Sequence, residues 1–139
     1  MKKIFLNSKL QGFTLSELLV VLVIVGILTL LALPVLMPLI TSAKSTEAKI
    51  ALEHLHGLQK VHFMERSRYS DNLTAIGFEQ EALVSEDGTG TANYRIEIVE
   101  VGQNSFLARA TAVVDFDGDG QFNVWEINQD KALTEVVTD

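Results

Sequence analysis

The chain contains no cysteine. Disulfides, thiolate catalysis and cysteine-ligated zinc are therefore excluded. The compartment stays open, because a protein outside the cytosol needs no disulfide. Only two prolines occur, Pro34 and Pro38, close together in one apolar stretch. Histidine is nearly as scarce: His54, His56 and His62 include no i, i+4 pair, so a helix there offers no two-histidine metal face. On a helix His54 and His56 point about 200° apart. All three read as structural or surface residues, and no nucleophile, base and orienting group fall together as a catalytic set. Charge of either sign is missing from Leu18 to Ile40. Acid is missing from residues 1–12, which hold Lys2, Lys3 and Lys9.

What is present is a 139-residue chain of 47% apolar residues and net charge −7. That length suits one small domain plus an anchor, and the part beyond the apolar run can bury only a modest core. Removing the three leader lysines takes the charge from −7 to −10. So acidic a surface repels phosphates, and no specific nucleic-acid partner is predicted. It favours solubility and attracts cations.

A helix from Leu18 to Ile40 is about 35 Å long, enough for a ~30 Å hydrocarbon core. The lysines before it place the N-terminus in the cytoplasm and the rest outside. A secretory signal peptide would have a shorter apolar region and a small-x-small cleavage site. Here the run is too long, and Ala32-Leu33-Pro34 is a poor site. A plain anchor leaves Gly12 and Glu17 unexplained. Glu17 is the one carboxylate at the start of the run, and a carboxylate in lipid costs roughly 2.5–3.5 kcal/mol on insertion scales. It either snorkels to the interface or meets a positive partner.

Gly12-Phe13-Thr14-Leu15-Ser16-Glu17-Leu18-Leu19-Val20 resembles the class III signal sequence of type IV pilins and of the pseudopilins of type II secretion. The resemblance implies that a prepilin peptidase cuts after Gly12 and that the new N-terminal Phe13 is methylated. It implies that Glu17 docks on the free amine of Phe13 in a neighbouring subunit and sets register during assembly. It places the family's typical proline at Pro34. Tyr69-Ser70 with Leu73, Ile76, Gly77 and Phe78 is similar to the connecting loop of many pilins. Residues 125–133 are similar to the end of many cysteine-free pilins, while the C-terminal cysteine pair common in major pilins is missing.

Pro34 and Pro38 each lack an amide hydrogen. With Gly26 they predict a kinked or locally melted helix between about Gly26 and Pro38. Beyond the membrane the helix should continue to about Arg66–Arg68, where basic side chains suit its C-terminal dipole. Ala48, Ala51, Leu52, Leu55, Leu58 and His62 form one stripe of 3.6 periodicity, expected to pack on a sheet. Ile50, Val61 and Met64 fall on a second face, available to sister subunits or simply exposed.

Turn chemistry at 85–90 precedes the expected strands 94–101, 106–114, 124–128 and 132–137. Short consecutive strands imply an antiparallel meander. Between the second and third lies Asp115-Phe116-Asp117-Gly118-Asp119-Gly120-Gln121-Phe122-Asn123-Val124-Trp125-Glu126. It fits a twelve-position calcium loop, with Asp115, Asp117, Asp119, Gln121, Asn123 and Glu126 as oxygen ligands and Gly120 at the turn position. Strands rather than helices flank it, and an Asp-Gly-rich hairpin without metal is the alternative. A calcium loop would serve as the staple that a small cysteine-free domain needs.

The expected fold is α+β and pilin-like: a long N-terminal helix packed on a small C-terminal antiparallel sheet. The expected organisation is a leader at 1–12, a membrane and filament-core half-helix at 13–40, a soluble half-helix at 41–68 and a globular domain at 69–139. The function so implied is a non-enzymatic structural subunit of a type IV pilus-like filament. Its partners are identical or related pilin subunits, the prepilin peptidase and the inner-membrane assembly machinery. It rests in the bacterial inner membrane before assembly and then in the pilus. Two alternatives remain: the major-type pseudopilin of a type II secretion system, in a periplasmic pseudopilus, and a membrane-tethered calcium-binding module that does not polymerise.

Overall fold

The computed structural model describes residues 12–85 and 88–139. The leader lysines therefore lie outside the described residues. One long helix, α1 (Leu15–Arg66), is followed by a short 3-10 turn (Thr74–Ile76) and four strands. The strands are β1 (Tyr94–Val101), β2 (Phe106–Ala112), β3 (Val124–Asn128) and β4 (Leu133–Val137). They pair antiparallel in the order β1-β2-β3-β4. The predicted meander is thus formed, as an α+β pilin-like arrangement. The chain divides into two compact units, the first ending at Leu36 and the second spanning Met37–Asp139.

The helix starts where the sequence supplies a capping box. The Thr14 hydroxyl accepts from the Glu17 amide at 3.3 Å, and Glu17 Oε2 accepts from the Thr14 amide at 2.7 Å. This reciprocal pair satisfies donors left free at a helix start. The helix runs unbroken through Gly26, Pro34 and Pro38, so of the expected kink or local melting between Gly26 and Pro38 the melting is not seen. Each proline removes only its own i to i−4 bond, and the surrounding bonds carry the helix across the gap. The helix closes at Arg66, where Ser67 turns left-handed with φ 53° and its amide donates to the Phe63 carbonyl at 2.8 Å.

In the second unit the sheet lies on the buried stripe of α1. Ala48, Leu52 and Leu55 are fully buried and share a core with Tyr69, Ile76, Phe78, Tyr94, Ile96, Phe106 and Ile127. Strand β2 alternates strictly, burying Phe106, Ala108, Ala110 and Ala112. Three alanines in this inner strand leave little side-chain volume on its buried face. The predicted stripe is observed with polar additions, Thr41 and Ser45 being buried on the same helix. Gln59 is also fully buried, and it clamps the backbone of Ser70: its amide donates to the Ser70 carbonyl at 2.7 Å and its oxygen accepts the Ser70 N–H at 3.0 Å. His62 is buried against the Arg68 carbonyl at 2.9 Å. His56 contacts the Gln129 carbonyl at 3.2 Å, and His54 lies against the Phe78 ring.

Two clamps hold the start of β1. Glu47 on α1 accepts from the Asn93 amide at 2.7 Å, the Asn93 side chain at 2.6 Å and the Tyr94 amide at 3.3 Å. On the free edge of the strand, Gln80 substitutes for a missing neighbour. Its oxygen accepts the Ile96 N–H at 2.8 Å and its amide donates to the Tyr94 carbonyl at 3.2 Å. A paired edge is thereby shortened as a template for unwanted strands.

Candidate functional site

Two regions hold every residue that the sequence singled out. The first is the N-terminal segment. Gly12 is exposed and a Cβ there would meet nothing. Phe13 is 83% exposed, and the apolar side chains from Leu18 to Ile40 are almost all open as well. Among the described residues α1 is the one helix long and apolar enough to cross a membrane. Glu17 is exposed but engaged: Oε2 also accepts the Thr14 hydroxyl at 2.8 Å. A carboxylate whose oxygen is already hydrogen-bonded loses less on leaving water than a bare one. Pro34 sits within the exposed run.

The second region is the acidic loop between β2 and β3. The structure brings together Asp115 and Asp117 with Asp139, an acid the sequence analysis did not select. One carboxylate oxygen from each lies within 4.8 Å of the others. Asp139 is drawn in because its two oxygens accept the amides of Phe116 at 3.0 Å and Asp117 at 3.2 Å. Asp115 accepts the amides of Gly118 at 2.6 Å and Gly120 at 2.8 Å. Both glycines adopt positive φ, 82° and 89°, which lets the chain wrap round the carboxylate. Those amides, Gly120 first, hold the Asp115 carboxyl below its ordinary range. For Asp117 the Asp119 amide pulls downward, but desolvation and the charges of Asp119, Asp139 and Asp115 outweigh it, so its carboxyl sits above the ordinary range.

The other expected ligands are elsewhere. Asp119 accepts the Gln121 amide at 2.7 Å and its side-chain amide at 3.1 Å, outside the three-carboxylate group. Asn123 is fully buried. It accepts the Tyr94 hydroxyl at 2.8 Å and donates to Glu135 at 2.7 Å and to the Val137 carbonyl at 3.0 Å. Glu126 pairs with Arg109, Nη2 to Oε1 being 2.6 Å. In this structure these two side chains are engaged with the sheet, and the reason is strand alternation. Trp125 and Ile127 pair with Ala110 and Ala108, whose side chains face the helix. Glu126 between them therefore points to the opposite face, opposite Arg109 in the register. The signal for Asp139 was weak in the sequence, because it lies far along the chain from the loop it caps.

The three carboxylates suit a hard divalent cation in charge and donor type. Three oxygens fall short of the six to eight that calcium takes, so backbone carbonyls or water would supply the rest.

An exposed apolar helix that begins at a Gly-Phe-Thr-Leu-Ser-Glu motif, followed by a four-stranded antiparallel meander carrying an acidic loop, defines a pilin-like class. Residues 7–33 match the family described as the prokaryotic N-terminal methylation motif. Over 75 residues the chain is 43% identical to the type IV major pilin protein PilA of Myxococcus xanthus, covering 54% of this chain and 34% of that one. It is 32% identical over 72 residues to the type IV major pilin protein PilE1 of Neisseria gonorrhoeae, covering 52% of this chain and 44% of the relative. The chain is thus similar, over about half its length, to type IV major pilins. The matches span between about a third and under half of those relatives' lengths.

Proposed function

We propose that this chain is a structural, non-enzymatic subunit of a type IV pilus-like filament, assembled from the inner membrane through α1. The observation that carries the reading is the conjunction at 12–40. A glycine and an apolar residue fit for cleavage and methylation, with a lone carboxylate in the first turn, open a helix surface that nothing among the described residues covers. Lipid is a holding solvent for that surface, and identical helices are its replacement. Cleavage after Gly12 frees the amine of Phe13, and Glu17 exchanges its Thr14 bonds for the amine of a neighbouring copy. That the relatives are type IV major pilins favours a pilus over a secretion pseudopilus.

The test is Glu17→Val in the full chain, followed by electron microscopy of surface filaments and mass spectrometry of the N-terminus. Filament yield should fall by at least tenfold while cleavage after Gly12 persists. Unchanged filaments would sink the docking role, and a chain still bearing residues 1–12 would sink the processing. If the processed wild-type chain stays in the membrane as single copies, the non-polymerising tether takes its place. The acidic loop is assigned a calcium ion on Asp115, Asp117 and Asp139, which would order the loop outside the cytosol.

A further inference from the structure

Lys44, Glu47 and Asn93 meet where α1 passes the start of β1. Lys44 Nζ donates to Asn93 Oδ1 at 3.3 Å, and Asn93 Nδ2 donates to Glu47 Oε2 at 2.6 Å. An amine and a carboxylate thus hold the two ends of one side-chain amide. The partners fix which end is which, because an ammonium only donates and a carboxylate only accepts. The amide carbon lies one C=O length, about 1.23 Å, behind Oδ1, so Nζ is within about 4.5 Å of it.

Each group is held in place. Lys44 and Glu47 are i, i+3 on α1 and so neighbours on its surface. Asn93 is buried, while Lys44 and Glu47 are half-buried. The Asn93 backbone is fixed on both sides: its N–H donates to Glu47 Oε1 at 2.7 Å and its carbonyl accepts the Val113 amide at 2.9 Å. Glu47 Oε1 also takes the Tyr94 amide at 3.3 Å, so one oxygen suffices to clamp β1. Oε2 and the Lys44 amine are surplus to that clamp, and both are directed at the Asn93 side chain.

We infer that Lys44 and Asn93 join in an intramolecular isopeptide bond, with Glu47 carrying the protons. Glu47 takes a proton from the Lys44 ammonium, and the freed lone pair on Nζ attacks Cγ of Asn93. The Nζ–Cγ bond forms and the Cγ–Nδ2 bond breaks. Two protons leave Nζ in all, and Glu47 relays them to Nδ2, which departs as ammonium. No electron is transferred and no co-reactant is consumed. Orientation supplies the rate, since well-placed intramolecular groups reach effective concentrations of about 10⁵ M or more, and each chain reacts only once. The groove that Glu47 lines with Ala92 and Tyr94 gives the ammonium a way out. The bond ties helix to sheet across a span of 49 residues. It restricts the unfolded chain as a disulfide of that span does, in a domain that has no cysteine to make one.

The test is intact-mass spectrometry and tryptic mapping of the full-length chain purified in detergent. The expected chain is lighter by one ammonia, resists trypsin at Lys44 and yields a branched peptide joining the segment that holds Lys44 to residues 69–95. Lys44→Arg keeps the charge and a donor but loses the nucleophilic amine. It should give the full linear mass and melt at a lower temperature than the wild type. Glu47→Gln should lower the linked fraction at least about tenfold, with circular dichroism showing the fold intact. If that variant does not fold, the wild-type mass and Lys44→Arg still decide. A wild-type chain of full linear mass overturns the bond. So does ammonia lost without the branched peptide, which marks closure of Asn93 on its own backbone. Linkage undiminished in folded Glu47→Gln overturns the proton transfer assigned to Glu47. The bond forms within one copy, so neither result bears on the filament reading.

Discussion

Asn123 carries the sharpest difference between sequence and structure. Its place in the acidic loop suggests a metal ligand, yet its side chain is fully buried and bonded to Tyr94, Glu135 and the Val137 carbonyl. Asn123→Ala should destabilise the domain by about 2–3 kcal/mol, because it strands the buried Tyr94 hydroxyl as well as losing its own bonds. A urea melt of the full chain in detergent checks this; a change within about 0.5 kcal/mol would remove Asn123 from the core account. Tyr94 has a pH consequence. Burial first, then the charges of Glu47, Asp139 and Glu135, push its phenol well above the ordinary tyrosine range. A group whose folded pKa is raised contributes stability below its unfolded pKa. That contribution is lost as pH rises past about 10, where the unfolded chain ionises and the folded one does not. Melting temperature should therefore fall above pH 10, and Tyr94→Phe should flatten that fall although it lowers stability at neutral pH.

At the scale of elements, the strand pattern was legible almost to the residue. Alternation over 94–101 and the turn residues after it imply a hairpin, and the Gly102 amide closes it on the Ser105 carbonyl at 2.8 Å. Helix α1 was legible in the apolar part of its buried stripe, but not in its buried polar residues Thr41, Ser45 and, above all, Gln59. A polar residue in that stripe is invisible to hydrophobic periodicity, and what it serves, the backbone of Ser70, is set by the path of a loop. The end of α1 offers another test. Ser67 holds a left-handed conformation that suits glycine better. Ser67→Gly should stabilise the domain by about 0.5–1 kcal/mol, read as a higher melting temperature. A decrease would show that the serine side chain contributes more than its backbone strain costs.

At the scale of the whole molecule, the acidic loop ties a distant acid to the sheet. With calcium assigned to Asp115, Asp117 and Asp139, saturation at about a hundred times Kd should stabilise the fold by about 2.7 kcal/mol. Chelator should reverse the rise in melting temperature. Asp139→Asn should abolish it, whereas Glu126→Gln should leave it intact, since Glu126 is held by Arg109. If Glu126→Gln removes the calcium response and Asp139→Asn does not, the ligand set read from the sequence is the correct one. The response should also fade below about pH 4, where carboxylates protonate. Asp115 and Asp117 act oppositely in that range without metal. Asp115, held low, contributes stability that is lost as pH falls through its folded pKa. Asp117, held high, is relieved of repulsion when it protonates.

The sequence alone determined the long apolar helix with Glu17 at its start and the four-stranded meander, while the likeness to pilins rests on the motif at Gly12–Val20. Those features are written in contiguous residues through local periodicity, a charge gap and turn chemistry. Only the tertiary structure decided which carboxylates meet, that Asn123 and Glu126 serve the sheet, and that Thr14 holds Glu17. Such pairings depend on which way a side chain turns and on how loops return. Strand alternation and chain reversal settle both, and neither is carried by spacing along the chain.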